Sequence, residues 1–375
     1  MARWVAISYG ALDLKGTDLF DRGFELVVAP VHRGSPAFLF GSGADVWRAL
    51  IESPLDDAEL DLDVRETLFA FESMGIASRN VHDPFRLDRL DAPWLLSPLH
   101  ELVYALLDRV AHEHGIPIVF IKGPTLHAQG LRVREHSGDV DCWVLPGDDL
   151  RLAEAMSAWG WTPLYSAFSG TGVQHALTLR AGEWGCAIDV HCRFPGMNVA
   201  PDAAFEEVRR TAETRRFASI SVSTPAASAH AVITALHEMR PFSGTLPSPY
   251  QVDAARHALS AAGEEVIGIV DVLRAGYALD VPLRLAFPER DVRSLTYERP
   301  EDWTWRLMAP GPRQHMVALR SVPPLQRVRV LLRLAWPSAK QMRIAYEIPD
   351  ASAWELTRMR LRRAAHSIRR LTRLR

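Results

Sequence analysis

Apolar and polar residues alternate through the middle of this chain in a way that reads as strands. In the stretch SGDVDCWV, a period of two sends Asp139, Asp141 and Trp143 to one face and Val140, Cys142 and Val144 to the other. The stretch CAIDVHCRF repeats the pattern, with Ile188 and Val190 on the inner face and Asp189 beside His191 on the opposite one. VQHALTLR precedes it across the turn AGEWG, and the two runs predict a hairpin. Upstream, IPIVFIKG reads as a buried strand and PTLHAQGL as a helix start. Helical spacing appears in SPLHELVYALLDRVAHEHG, where Leu99, Leu102, Leu106 and Val110 share one side, and in GDDLRLAEAMSAWG, which ends at Gly160. Helices and strands thus mix in an α/β core.

The flanks differ. Before residue 90, FELVVAP (Phe24–Pro30) and AFLFG (Ala37–Gly41) read as strands around the turn-rich VHRGSP. Three helical segments follow: SGADVWRALIES, the short PLDDAEL, and DLDVRETLFAFESMG with Val64, Leu68 and Phe71 on its apolar face. Two strands and three helices make a winged-helix-like unit. A linker marked by proline and aspartate, roughly Asn80 to Pro93, comes next. From about Phe205 onward the periodicity is that of a helical bundle, including PAASAHAVITALHEMR and the long PYQVDAARHALSAAGEEVIGIVDVLRAGYAL. The expected fold class is α+β, with an N-terminal domain over 1–90, a core with a mixed sheet over 91–204 and a helical region over 205–375.

Composition adds little until charge is mapped. The 375 residues are 48% hydrophobic and 23% charged, as in ordinary globular proteins. No run reaches the 18 or so apolar residues of a membrane span, and the N-terminus lacks the apolar core of a signal peptide. Three cysteines, Cys142, Cys186 and Cys192, lack paired metal spacing and point to reduced thiols in a cytoplasmic protein. A zinc site at Cys186, His191 and Cys192 is disfavoured because a strand turns His191 away from both cysteines. Residues 1–90 hold 15 acidic and 9 basic side chains, a net of −6, whereas 324–375 hold 13 basic and 3 acidic, a net of +10. An acidic N-terminal unit is a poor DNA reader, since phosphate neutralisation dominates DNA affinity. The basic C-terminal helix reads either as a solvated face or as an arginine surface for phosphates, RNA or an acidic partner.

Charges in mid-strand are costly unless paired or metal-bound. Asp139 and Asp141, two residues apart on one face, are placed to share a pair of divalent ions, with Asp189 completing the cluster from a neighbouring strand. The Lys122-Gly123-Pro124 turn supplies the other half of a triphosphate site. Gly123 permits close backbone approach, Pro124 suits the first helical turn, and free amides from Thr125 face an anion. Lys122 adds a cation and Thr125 a hydroxyl. Taken singly, a D-x-D is mostly structural, Asp189 has the alternative of a buried partner for Arg193, and His191 is more often a packing residue than a ligand.

With IKGPTL, SGDVDCWVLPGD, SAWGW and IDVHCRFPG in order, residues from about Pro98 to Gly196 resemble the uncharacterised nucleotidyltransferase family of the DNA polymerase beta-like superfamily. The resemblance implies nucleotidyl transfer from a nucleoside triphosphate, with Mg²⁺ or Mn²⁺ on Asp139, Asp141 and Asp189 as the catalytic and metal set. It implies nucleotide contacts at Lys122, Gly123, Thr125, Arg134, Ser137 and Gly138, and acceptor-side roles for His191 and Arg193. Two departures stand out: the superfamily's Gly-Ser is Lys-Gly here, and Arg134 lies one residue further from the first aspartate. Residues 20–80 are similar to PqqD-like recognition elements, which bind the leader of a ribosomally synthesised peptide as an added strand. Together these imply a tailoring enzyme for a lasso-peptide-like product, with the leader and a nucleotide as partners and neither membrane nor DNA. A nucleotide-sugar donor on the same fold, or a non-catalytic nucleotide- or peptide-binding protein, are the alternatives.

Overall fold

The computed structural model describes residues 3–135, 138–295 and 298–372. The first 16 residues, where the sequence reading set no element, hold β1 (Arg3–Ala6) and β2 (Gly10–Asp13). They are followed by α1 (Asp18–Asp21), β3 (Leu26–Ala29), β4 (Ala37–Leu39) and α2 (Gly41–Glu52). PLDDAEL, expected as a short helix, is instead β5 (Leu55–Asp56) running into a 3-10 turn at Asp57–Glu59. Asp56 caps that turn by accepting from the Ala58 amide, and β5 pairs with β1, so strand pairing outweighs helix propensity. α3 (Leu62–Met74) ends at Gly75 in the left-handed conformation, and β6 (Ala77–Ser78) closes the region. Two small antiparallel sheets result, ordered β5-β1-β6 and β2-β3-β4.

The centre begins with α4 (Pro98–Glu113), capped by Ser97. The sequence suggested an amphipathic helix. In fact Leu102, Val103, Tyr104, Leu106 and Leu107 are all buried, because the N-terminal sheets cover one side of α4 and the central sheet the other. Then come β7 (Ile118–Ile121), α5 (Gly123–Ala128), β8 (Asp139–Val144), α6 (Asp148–Ser157), β9 (Thr162–Pro163), β10 (Ala176–Arg180) and β11 (Ala187–His191). The five strands order as β7-β8-β11-β10-β9, with β8 and β11 parallel and every other pair antiparallel. The expected hairpin is β10–β11.

Beyond the core lie α7 (Pro201–Arg210) and a second hairpin, β12 (Glu213–Phe217) with β13 (Ile220–Thr224). This hairpin corrects the purely helical reading after Phe205. Its two-residue turn, Ala218-Ser219, has positive φ at both positions (45° and 70°), a geometry normally written with Asn-Gly. Tertiary bonds hold it. The Ala218 amide donates to Glu101 and its carbonyl accepts from the Ala11 amide, while the Ser219 hydroxyl donates to the Ala11 carbonyl. The long predicted helix after Pro249 is three: α9 (Pro249–Ala262), α10 (Glu265–Val272) and α11 (Gly276–Ala286), following α8 (Ala227–Met239). Gly263 and the Leu273–Ala275 turn break it. The remaining helices are α12 (Glu301–Arg306), α13 (Pro312–Arg320), α14 (Pro324–Ala335), α15 (Ala339–Ala345) and α16 (Ala353–Thr372).

Two apolar clusters meet at the central sheet. One joins Trp4, Trp47 and Phe71 through α4 to Val140, Cys142, Val144, Ile188 and Val190. The other holds Trp143 against Phe194, Phe205 and the inner faces of α8–α11. The alternation read in β8 is therefore real, but both faces are covered. Asp141 shares the Trp143 face, toward the C-terminal helices.

Candidate active site

Strand register builds the site. In the parallel pair, Asp141 lies opposite Asp189 and Trp143 opposite His191, so two mid-strand carboxylates and the imidazole that ends β11 come together on adjacent strands. On the other side of β11, Thr178 of β10 lies opposite Asp189, and its hydroxyl donates to Asp189 Oδ1 at 2.6 Å. Asp141 is buried at 3% exposure. Its Oδ1 lies 2.6 Å from Lys122 Nζ and 2.8 Å from His191 Nε2.

Burial alone would raise the Asp141 pKa. The Lys122 ammonium and the His191 bond outweigh it and hold the carboxyl well below the usual range. At His191, burial and Lys122 push the pKa down against Asp141. A neutral His191 that donates from Nε2 to Asp141 leaves Nδ1 as a buried acceptor with no protein partner. Its ring stacks on Phe194 at 5.0 Å. The Asp139 carboxyl is raised, first by burial and then by Asp141 and Asp189.

Lys122 holds the amine in place through an uncommon backbone. Its φ of 58° and ψ of −140° belong to a region that L side chains rarely adopt, and Gly123 follows at φ 59°. The Lys122 amide donates to His230 Nε2 at 2.6 Å, and His230 Nδ1 donates to Gln129 Oε1 at 2.7 Å. Burial pushes the His230 pKa down to about 3, so the ring is neutral and can accept that amide. Arg132 Nη2 donates to the Gly123 carbonyl at 2.8 Å, tying the turn to the loop before β8.

Asp141, Asp189 and His191 each offer a ligand atom, and the three atoms lie within 4.8 Å of one another. Two carboxylates with an imidazole suit a divalent ion, and the Lys122 ammonium already neutralises one of the two carboxylates. Asp139 is outside that trio. Of the other sequence-derived candidates, Thr125 is buried, Arg134 and Gly138 are exposed, and Ser137 lies outside the described residues. Arg193 is half-buried beside Gly172. Cys186 and Cys192 are buried free thiols apart from the cluster.

Sequence reasoning missed several neighbours. Thr178 would have emerged from the hairpin register. His230 sits on α8, and His175 in the loop before β10. No spacing signal marks either one. His175 contacts His191 at 5.9 Å between ring centroids and is flanked by Arg240 and Arg306.

No protein-family model matches the chain, and no curated protein matches it. Among solved structures, one similar chain is the antibiotic-resistance factor ANT(2'')-Ia, at 13% identity and a TM-score of 0.32, over 52% of this chain and 96% of that one. Another is a tRNA nucleotidyltransferase solved with a primer tRNA and an incoming ATP analog, at 12% identity and a TM-score of 0.21, over 68% and 90%.

Proposed function

We propose that this chain is a metal-dependent nucleotidyltransferase acting on a peptide acceptor. The observation that carries the reading is the register of β8 and β11, which sets Asp141 against Asp189 within the strands with His191 and Lys122 in contact with Asp141. Clustered mid-strand carboxylates, Asp141 among them held ionised by Lys122 and His191, are what phosphoryl chemistry needs. When bound, Mg²⁺ or Mn²⁺ held by Asp141 and Asp189, with Asp139 and His191 adjoining, would neutralise charge on the phosphates of a nucleoside triphosphate.

The chain's own groups do the rest. Lys122 keeps Asp141 ionised, and His191 fixes which way the carboxylate faces. Asp189, oriented by Thr178, is the base that takes the proton of the attacking hydroxyl. The new bond joins that oxygen to the α-phosphorus, the α–β phosphoanhydride bond breaks, and pyrophosphate leaves.

The domain plan in this reading is a leader-binding unit over 1–90, the transferase core over 91–204 and a helical region over 205–375. Support for peptide docking is the free outer edge of β4, which pairs with β3 alone among the described residues, and the exposed Phe40 beside it. In this scheme the acceptor is a ribosomally synthesised peptide of the lasso-like kind.

The test is to mix the protein with each nucleoside triphosphate, Mg²⁺ and the precursor peptide encoded nearest its gene, then measure pyrophosphate and peptide mass. A nucleotidyl increment with one donor is expected. No pyrophosphate and no mass change with any donor would overturn the reading.

A further inference from the structure

A cavity of roughly 320 Å³ opens beside the carboxylates on the β10 side, lined among others by Gln174, His175, Thr178, Trp305, Arg306 and His315. Thr178 is the residue bonded to Asp189, so the cavity adjoins the side of the cluster from which an acceptor would approach. Its volume lies at the low end of small-ligand pockets, enough for one side chain or a comparable fragment.

The wall at His175 is unusual in its hydrogen bonding. Arg306 Nη2 faces His175 Nδ1 at 3.3 Å, and Arg240 Nη1 faces His175 Nε2. A neutral imidazole has one acceptor nitrogen and a protonated one has none. In either state at least one guanidinium points at a ring nitrogen that cannot accept from it.

Arg306 is 6% exposed and has one carboxylate, Asp302, on its Nε at 3.1 Å. Arg240 has no ion pair among the described residues and is balanced only through space, chiefly by Asp141 and Asp189. Arg193 adds a third positive charge near Arg306. Asp302 takes only the Nε of Arg306 and leaves Nη2 turned to His175, and a planar guanidinium fork with donors to spare matches an oxyanion. Gln174 Oε1 is buried without a partner at the same wall.

We infer that Arg306 and His175 in the cavity wall, with Arg240 behind His175 adding its positive charge, form an oxyanion subsite that binds a phosphate or carboxylate group of the acceptor in this cavity. The acceptor assignment rests on the transferase reading, whereas the subsite itself does not. An acceptor with an anion held there presents a neighbouring hydroxyl to Asp189.

Inorganic phosphate, tripolyphosphate and each nucleoside triphosphate are titrated calorimetrically into metal-free full-length protein, and into Arg240→Gln, Arg306→Lys and Asp189→Asn. Circular dichroism confirms that each variant is folded. Phosphate is expected to bind Asp189→Asn at least as tightly as the wild type, since Asp189 offsets the charge of Arg240, and at least tenfold more weakly to Arg240→Gln and Arg306→Lys. In turnover, a KM increase confined to the acceptor assigns the anion to it, and an increase confined to the triphosphate reassigns the subsite to the donor and overturns the acceptor claim. Equal phosphate affinity in all four proteins overturns the subsite. Phosphate binding lost in the arginine variants while no donor ever reacts would leave the subsite standing and sink the transferase.

Discussion

At the residue scale, Lys122 shows why this site was only half legible. Asp139 and Asp141 drew notice only together with Asp189 in a second alternating run, because a D-x-D alone is mostly structural. Lys122 was read as a phosphate ligand at a strand-to-helix turn. The structure shows its amine bonded to Asp141, on a backbone where glycine is the natural occupant. Such conformations cost about 1–3 kcal/mol each, and sequence spacing carries no trace of them. Lys122→Met is expected to destabilise the metal-free protein by about 3–5 kcal/mol in urea, since Asp141 would remain buried without its cation. The pH profile follows from the depressed Asp141 pKa. Its stabilisation is fully present above the unfolded carboxylate value of about 4 and is lost as pH falls toward the folded value. Urea midpoints measured in EDTA should drop as pH falls below about 4, with that acid drop attenuated in Lys122→Met. Asp189→Asn should leave those midpoints nearly unchanged while reducing pyrophosphate release by roughly 10²–10⁴-fold, the usual range for losing a general base.

At the element scale, α4 and the β12–β13 hairpin depend on one buried acid. Glu101 is 1% exposed and accepts from the amides of Trp94 (3.0 Å), Leu95 (3.2 Å) and Ala218 (3.0 Å). It fastens the incoming linker and the strained hairpin turn to the same helix. This explains why the hairpin escaped the sequence: its turn residues, Ala218 and Ser219, owe their conformation to Glu101, Ala11 and Asp91, all distant in the chain. The β10–β11 hairpin was legible because it is specified locally, by two alternating runs around a glycine-bearing turn. Burial raises the Glu101 pKa from 4.5 to about 7, over the opposing pull of its three amides. The folded protein therefore binds the extra proton between about pH 4.5 and 7, and this group's contribution to stability declines as pH rises through that window. Glu101→Gln should flatten that part of the stability profile. Glu101→Ala, which leaves buried amides unsatisfied, is expected to cost on the order of 3 kcal/mol in chemical denaturation.

At the scale of the whole molecule, the first apolar cluster runs without interruption from the N-terminal sheets through α4 to the underside of the central sheet. The carboxylates lie on the opposite face, under the C-terminal helices. Peptide docking on β4 and chemistry at Asp189 are thus assigned to separate surfaces of a continuously packed body, and they should fail separately. Phe40 is 64% exposed next to the β4 edge, so Phe40→Asp removes apolar contact and adds charge there with little expected effect on folding. It is expected to weaken peptide binding at least tenfold by fluorescence anisotropy and to leave triphosphate binding unchanged, whereas Asp189→Asn should spare peptide binding and abolish transfer. The net charge of −6 over residues 1–90 adds a salt signature. A basic leader would bind more weakly as ionic strength rises, because the Debye length shrinks from about 10 Å at 0.1 M to about 3 Å at 1 M. Phe40→Ser, which removes the apolar contact without adding charge, would leave that slope intact while shifting every point. If Phe40→Asp binds the peptide as tightly as the wild type at all salt concentrations, β4 is not the docking edge and the acceptor must reach Asp189 through the cavity beside β10 alone.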